Sequence, residues 1–336
     1  MGYDTRLLPY SRESAAEAAD LLSRRQIVAI PTETVYGLAA NALDEWGVKN
    51  IFRAKGRPQD NPLIVHIASM KMLTPLVKEI PDIAKELAER FWGGPLTMIF
   101  PKSDKVPSVT SGGLDTVAVR MPSSEAALDI IRRCGFPLAA PSANLSGKPS
   151  PTTAQHVFED MNGKIPLIID GGECTVGVES TVICFKSGKI HILRPGGVTA
   201  EMLSEFGEVE VDKAVTAQPD RDERVLSPGM KYKHYSPKAD VYIINAHGEK
   251  FVDYCTKRGR YEKKLLALGA GVSEQGIFLD YGATAEVQAQ RLFSLLRRAD
   301  ELGADTVLVE APKQNGMGLA VYNRLLRAAA FRVIEV

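Results

Sequence analysis

The side chains best suited to chemistry lie in short polar segments that follow apolar runs. Residues 31–38 read Pro-Thr-Glu-Thr-Val-Tyr-Gly-Leu, directly after Ile27-Val28-Ala29-Ile30. Thr32, Glu33 and Thr34 at a strand's end are well placed to meet a ligand, although such hydroxyls also build ordinary turns. Residues 55–62 read Lys-Gly-Arg-Pro-Gln-Asp-Asn-Pro. Lys55 and Arg57 flank a glycine, and two prolines stiffen a loop that also carries Asn61. Two cations on a stiff loop suit a polyphosphate; an ordinary basic turn is the plainer alternative. His66 closes the next apolar run, where a lone histidine is more often structural than catalytic.

Residues 116–122, Thr-Val-Ala-Val-Arg-Met-Pro, alternate as a strand that starts at Thr116 and ends on Arg120. A cation leaving a buried strand needs an anion, from a carboxylate side chain or from a substrate. Residues 138–150 include Ala140, Ser142, Asn144, Ser146, Gly147, Lys148 and Ser150, a small-residue loop rich in donors. Such a loop can approach a ligand closely. Residues 170–181 add a glycine-rich turn ending at Glu179 and Ser180, and Arg194-Pro195-Gly196-Gly197 ends the following strand pair. Taken together, these strand-terminal loops fit one pocket for a small anionic substrate and a phosphate-bearing one.

The elements that must position them can be read from periodicity. Strand-like runs cover 27–30, 63–67, 97–100, 116–120, 138–140, 167–170, 180–185 and 190–193. Helical patterns cover 14–23, 45–54, 81–91, 123–134 and 152–160, with Ser123 or Ser124 as the N-cap of the fourth. This mixture predicts an α/β domain over residues 1–210. From Val211 to Lys238 the pattern dissolves into a charge run and then Ser227-Pro228-Gly229-Met230-Lys231-Tyr232-Lys233-His234-Tyr235-Ser236-Pro237. Prolines and glycine argue against regular structure there, and the aromatic content exceeds that of a plain solvated linker. Residues 239–336 alternate again: strands at 241–245, 265–268, 276–279, 306–310 and 332–336, helices at 249–257, 285–301 and 317–330. That pattern predicts a small Rossmann-like, doubly wound domain.

Bulk properties exclude several function classes. The 336 residues balance 41 Lys plus Arg against 41 Asp plus Glu, so no global field gathers nucleic acid or lipid. Cys134, Cys174, Cys184 and Cys255 form no C-x-x-C pair, and no metal-binding histidine pattern occurs. No apolar stretch approaches the ~20 residues that span a bilayer, and no leader is visible. The expectation is a cytoplasmic protein with no membrane partner. Nucleotide motifs fail on inspection. In residues 142–150 Ser142 stands where a phosphate loop needs glycine, and Pro149 interrupts its Lys-Ser pair. Gly269-Ala270-Gly271 has Glu274 in place of the third glycine, and Gly316-Met317-Gly318 has Val321. Neither supports a cofactor claim.

The strings PTETVYGL, KGRP with NPLIVHI, GGPLT, TVAVRMP, APSANLSGKPSPT, IIDGG with GVESTV, and LRPGG together resemble the Sua5/YrdC/YwlC family. SPGMKYKHYSP followed by a small α/β domain resembles its longer, two-domain Sua5 form. Gly93 is a departure, since a proline is expected there. The resemblance implies a YrdC-like twisted mixed sheet with helices over 1–210, a lid over 211–238, and a Sua5-type domain over 239–336. It implies synthesis of threonylcarbamoyl-AMP from L-threonine, bicarbonate and ATP, for N6-threonylcarbamoyladenosine at tRNA position 37. Thr34, His66, Arg120, Ala140 and Ser180 would hold L-threonine. Arg57, Asn61, Thr116, Ser142, Asn144, Ser150, Arg194 and Tyr235 would hold ATP, with Lys55 and Arg57 stabilising charge and Mg2+ arriving with ATP. A threonylcarbamoyl transferase would act downstream, with transient tRNA contact. The rival expectations are a non-catalytic RNA-binding module, a carbamoyltransferase and a simple aminoacyl-adenylate former.

Overall fold

The computed structural model describes residues 2–217 and 235–336. Of the expected lid over 211–238, residues 218–234 lie outside the described residues. The N-terminal part builds a mixed sheet from β1 (Arg6–Pro9), β2 (Val28–Ile30), β3 (Gly37–Asn41), β4 (Ile64–His66), β5 (Leu96–Pro101), β6 (Thr116–Arg120), β7 (Leu138–Ala139), β8 (Leu167–Asp170), β9 (Thr181–Lys186), β10 (Lys189–Arg194) and β11 (Val209–Val211). Their order is β1-β8-β2-β3-β7-β4-β6-β5-β9-β10-β11. Parallel and antiparallel neighbours alternate irregularly: β4 runs parallel to β6, while β3, β7 and β4 pair antiparallel.

Local sequence explains the elements. The helix Glu45–Lys55 starts on Asp44, whose side chain accepts from Trp46 N, and stops at Gly56 in the left-handed region. The helix Glu125–Cys134 is capped by Ser124, whose hydroxyl accepts from Ala127 N. Helices bury apolar faces on both sides of the sheet. Leu38, Phe52, Val65, Leu87 and Met98 belong to one core; Leu22, Val28, Ile30, Ile130 and Ile131 belong to the other. Each such side chain, fully buried, is worth about 1.5–3 kcal/mol. Gly93 holds φ at +68°, which proline cannot adopt, so its departure from the family string matches the local backbone. Val209–Val211 extends the sheet by pairing in parallel with β10, so Val211, read from sequence as the start of the linker, is still in the sheet.

The second sheet contains β12 (Asp240–Asn245), β13 (Leu265–Gly269), β14 (Phe278–Asp280), β15 (Thr306–Glu310) and β16 (Val333–Glu335) in the order β14-β13-β15-β12-β16. Every pairing in it is parallel, as a doubly wound domain requires. Helices Glu249–Gly259, Ala285–Glu301 and Gly316–Ala328 cover it. Its core does not stop at the domain border. Val35 and Val178 from the N-terminal part pack in one cluster with Leu292, Phe293, Leu296, Val321 and Leu325.

Gly177 sits at this border with φ at +80°, and a Cβ there would lie 2.3 Å from Gln290 Cα. The left-handed backbone and the clash together predict that Gly177→Ala lowers the unfolding free energy by roughly 2–5 kcal/mol. Urea melts of the two proteins measure this; a change below about 1 kcal/mol would contradict the tight docking.

Candidate active site

The loops expected from sequence converge at one cleft. Thr34, Lys55, Arg57, His66, Arg120, Ala140, Ser142, Asn144, Ser180, Arg194 and Tyr235 line it. Asn61, Thr116 and Ser150 do not reach its lining. Asn61 is buried beside the lining residue Pro62, Thr116 lies at the far end of the strand that delivers Arg120, and Ser150 is buried behind Glu179.

Thr34 is set by a local turn. The Thr32 hydroxyl accepts from Thr34 N and Val35 N and donates to Val35 O at 2.6 Å. Turn and ligand site are therefore the same segment. Arg120, 3% exposed, donates through Nη1 to Thr34 Oγ1 at 2.8 Å and through Nε to Gly94 O at 3.2 Å. Its Nη2 lies 2.6 Å from Glu33 Oε1. The buried cation thus has a carboxylate side chain as partner, one of the two anions expected from sequence. Burial pushes the Glu33 carboxyl up, but the Arg120 charge and hydrogen bond outweigh it and hold the group below the usual carboxylate range.

His66 donates from Nδ1 to Ile64 O at 3.2 Å. Burial first, and then the Arg120 charge, lower its pKa to about 3, so the ring is neutral at physiological pH. Ser180 Oγ lies 2.8 Å from Thr97 Oγ1 and accepts from Arg194 Nη2 at 3.2 Å. Arg194 also donates through Nε to Ser180 O, which ties the two proposed subsites together.

Lys55 closes its helix 2% exposed. Its ammonium donates to Ser142 O, to Asn144 O at 2.6 Å and to Asn144 Oδ1 at 3.2 Å. Burial and the neighbouring Arg57 pull its pKa well down, yet three oxygen acceptors match an ammonium's three donors. Lys55 fastens the 142–144 loop while lending it positive charge. The Ser142 hydroxyl donates to Asn144 Oδ1, and Asn144 Nδ2 donates to Leu145 O and Lys148 O.

Arg57 donates from Nη2 to Pro62 O at 3.3 Å, and burial with the nearby Arg194 charge lowers its pKa to about 10. Its Nε and the Asn61 Nδ2 are buried with no hydrogen-bond partner among the described residues. Native proteins rarely leave such donors unpaired, and orphans beside a cleft fit an acceptor-rich ligand. Tyr235 is buried against Phe293, ring centroids 5.2 Å apart, with φ at +63°. That conformation costs a non-glycine residue about 1–3 kcal/mol. The lining holds the cations Lys55, Arg57, Arg120 and Arg194 against one carboxylate, Glu179.

Sequence reasoning placed Glu33 in a ligand-facing turn without naming its partner, and passed over Glu179 and Arg324 as site residues. Glu33 and Glu179 stood inside motifs, but the arginine partners that give them meaning are 87 and 145 positions away. The glycine stretch 269–271 offers no anion site, because its amides are already satisfied. Glu310 accepts from Ala270 N and Gly248 N, and Asp280 accepts from Gly271 N. Among the described residues no cluster of acidic, cysteine or histidine side chains could hold a metal ion, and no helix is long and apolar enough to cross a membrane.

A family model for Sua5, YciO and YrdC proteins, described as telomere recombination, matches residues 20–196. A second, described as threonylcarbamoyl-AMP synthase, C-terminal domain, matches residues 198–330. The chain belongs to the Sua5/YciO/YrdC family. It is similar in its two-domain form to threonylcarbamoyl-AMP synthase of Pyrococcus abyssi, 49% identical over 95% of each chain. The Bacillus subtilis threonylcarbamoyl-AMP synthase is 45% identical over 95% of this chain and 94% of its own. A crystal structure of Pyrococcus abyssi Sua5 complexed with L-threonine superposes with a TM-score of 0.93, at 47% identity, covering 100% of both chains. The Sua5 architecture expected from sequence is therefore the one observed.

The neutral His66 predicts an acid-sensitive fold. Between the ordinary value of 6.5 and about 3, the unfolded chain binds a proton that the native ring refuses. Native stability is therefore lost as pH falls through that window. In melting scans from pH 6.5 down to about 4, His66→Gln should lose less of its melting temperature than the parent; parallel losses would contradict the assignment.

Proposed function

We propose that this chain is a threonylcarbamoyl-AMP synthase that supplies the adenylate for N6-threonylcarbamoyladenosine at position 37 of tRNA. The carrying observation is the cleft itself: among the described residues, four buried cations with two carboxylates, Glu33 and Glu179, and orphan donors on Arg57 and Asn61. That is a site for a polyanion beside a small polar acid. The similarity to threonylcarbamoyl-AMP synthases along 95% of the chain supports the same reading.

L-Threonine would lie among Thr34, His66, Arg120, Ala140 and Ser180. Arg120 meets its carboxylate while keeping Glu33 as counter-charge. ATP, entering as its Mg2+ complex, would take Arg57, Asn61, Thr116, Ser142, Asn144, Ser150, Arg194 and Tyr235. The threonine amine adds to the carbon of CO2 derived from bicarbonate and gives a carbamate, losing a proton to solvent. A carbamate oxygen then attacks the α-phosphorus, the bond to the bridging oxygen breaks, and pyrophosphate leaves. No protein nucleophile is required. Lys55, Arg57 and Arg194 act by positioning and by stabilising charge on the phosphates. A cleft shielded by Tyr235 also protects a labile carbamate and adenylate from water. The product would pass to a threonylcarbamoyl transferase in the cytoplasm, with transient tRNA contact.

Pyrophosphate release should require Mg-ATP, L-threonine and bicarbonate together. Arg57→Ala should lower kcat/KM for ATP by about 10²-fold or more, the cost of one preorganised donor at developing charge. Release with threonine alone in degassed buffer would favour simple aminoacyl-adenylate formation. No release from folded protein would overturn the enzyme reading in favour of a binding module.

A further inference from the structure

The two halves of the cleft are supported differently. On the threonine side, Arg120 and His66 are held by Glu33, Thr34, Ile64 and Gly94, all within the N-terminal domain. On the ATP side, Lys55 holds the 142–144 loop from within the N-terminal domain, and further supports come from the C-terminal domain. Arg324, in the helix Gly316–Ala328, is 0% exposed. Its Nε donates to Glu179 Oε2 at 2.8 Å, its Nη2 to Glu179 O at 3.0 Å, and its Nη1 to Pro195 O at 2.9 Å and Asn323 Oδ1 at 2.9 Å. The other oxygen of Glu179 accepts from the Ser150 hydroxyl at 2.5 Å. Pro195 follows Arg194 directly in the chain. A second arginine, Arg297, donates to Pro149 O at 2.6 Å and to Asp160 Oδ2 at 2.8 Å, gripping the backbone next to Ser150.

We propose that Arg324 is a positioning residue for the ATP half of the site: by fixing Glu179 and the Pro195 carbonyl, it sets the Ser150 hydroxyl and the Arg194 guanidinium. The C-terminal domain thereby braces the ATP subsite, while its nearest hydrogen bond to the threonine side is the one to the Glu179 carbonyl that precedes Ser180. This inference rests on the synthase reading above. The planar fork of Arg324 is essential to it, because four differently aimed acceptors are held at once. A lysine keeps the charge but not the fork.

Steady-state pyrophosphate release should be measured for Arg324→Lys and Glu179→Gln, both chosen to keep volume and folding. L-Threonine binding without ATP should be measured by calorimetry on the same samples. The expected result is a rise in KM for ATP of about 10- to 100-fold, the worth of a hydrogen bond to a charged group. The threonine Kd should stay within about threefold of the parent value. Ser150→Ala combined with Arg324→Lys should fall short of the product of the single effects, as members of one network do. An unchanged KM for ATP in Arg324→Lys would overturn the inference. So would equal weakening of ATP and threonine, or failure of both variants to fold, since either makes Arg324 a general structural bolt. The unaltered protein is the control. If it releases no pyrophosphate, the synthase reading falls and takes this inference with it; if it does and KM is unmoved, only the inference falls.

Discussion

Buried positive charge is the constraint to which most of this structure answers. Lys55, Arg57, Arg120 and Arg194 enclose one cleft whose lining, among the described residues, carries a single carboxylate. Withdrawing an ion from water costs several kcal/mol unless hydrogen bonds and counter-charge replace the solvent. Three of these cations are tied down, each in its own way, while Arg57 keeps an orphan Nε. Arg120 takes Glu33 and Thr34, Lys55 takes three loop oxygens, and Arg194 takes both oxygens of Ser180. These ties give the strand-terminal loops one shape. The chain as a whole stays neutral, so its field is local and strongest where phosphates would lie.

The same constraint explains why the two domains share a core and ion pairs. Val35 and Val178, one residue from Thr34 and from Glu179 respectively, are packed under the C-terminal helices. Arg297 and Arg324 reach from those helices to Asp160 and Glu179, both buried. Removing Arg324 would take the ion-pair partner from buried Glu179, a change that typically costs 3–5 kcal/mol, whereas Asp160 would keep Lys148 if Arg297 were lost. The C-terminal domain thus braces the site from behind, and among the described residues none of 239–336 lines the cleft. Its own glycine loop, closed by Glu310 and Asp280, has no amide left for a phosphate.

Much of this was legible in the sequence, and the unreadable parts have physical causes. Strand Thr116–Arg120 and helix Ala285–Glu301 match their periodicity residue for residue, because each has one clean apolar face. Gly37–Asn41 pairs in mid-sheet although glycine and alanine give no strand signal; its burial is imposed by neighbours. The polar loops were recognisable by composition, and most of their residues do line the cleft. Ser150, Asn61 and Thr116 were assigned to ATP by resemblance and stand outside the lining. What one-dimensional reading misses is long-range pairing. Nothing near Glu179 in sequence announces Arg324, and nothing near Glu33 announces Arg120.

The most direct measurement is mass analysis of the product formed from 13C-bicarbonate, L-threonine and Mg-ATP. The synthase reading predicts a threonylcarbamoyl adenylate carrying one labelled carbon and appearing with pyrophosphate. An unlabelled threonyl adenylate, or nucleotide recovered only as ATP, would contradict it.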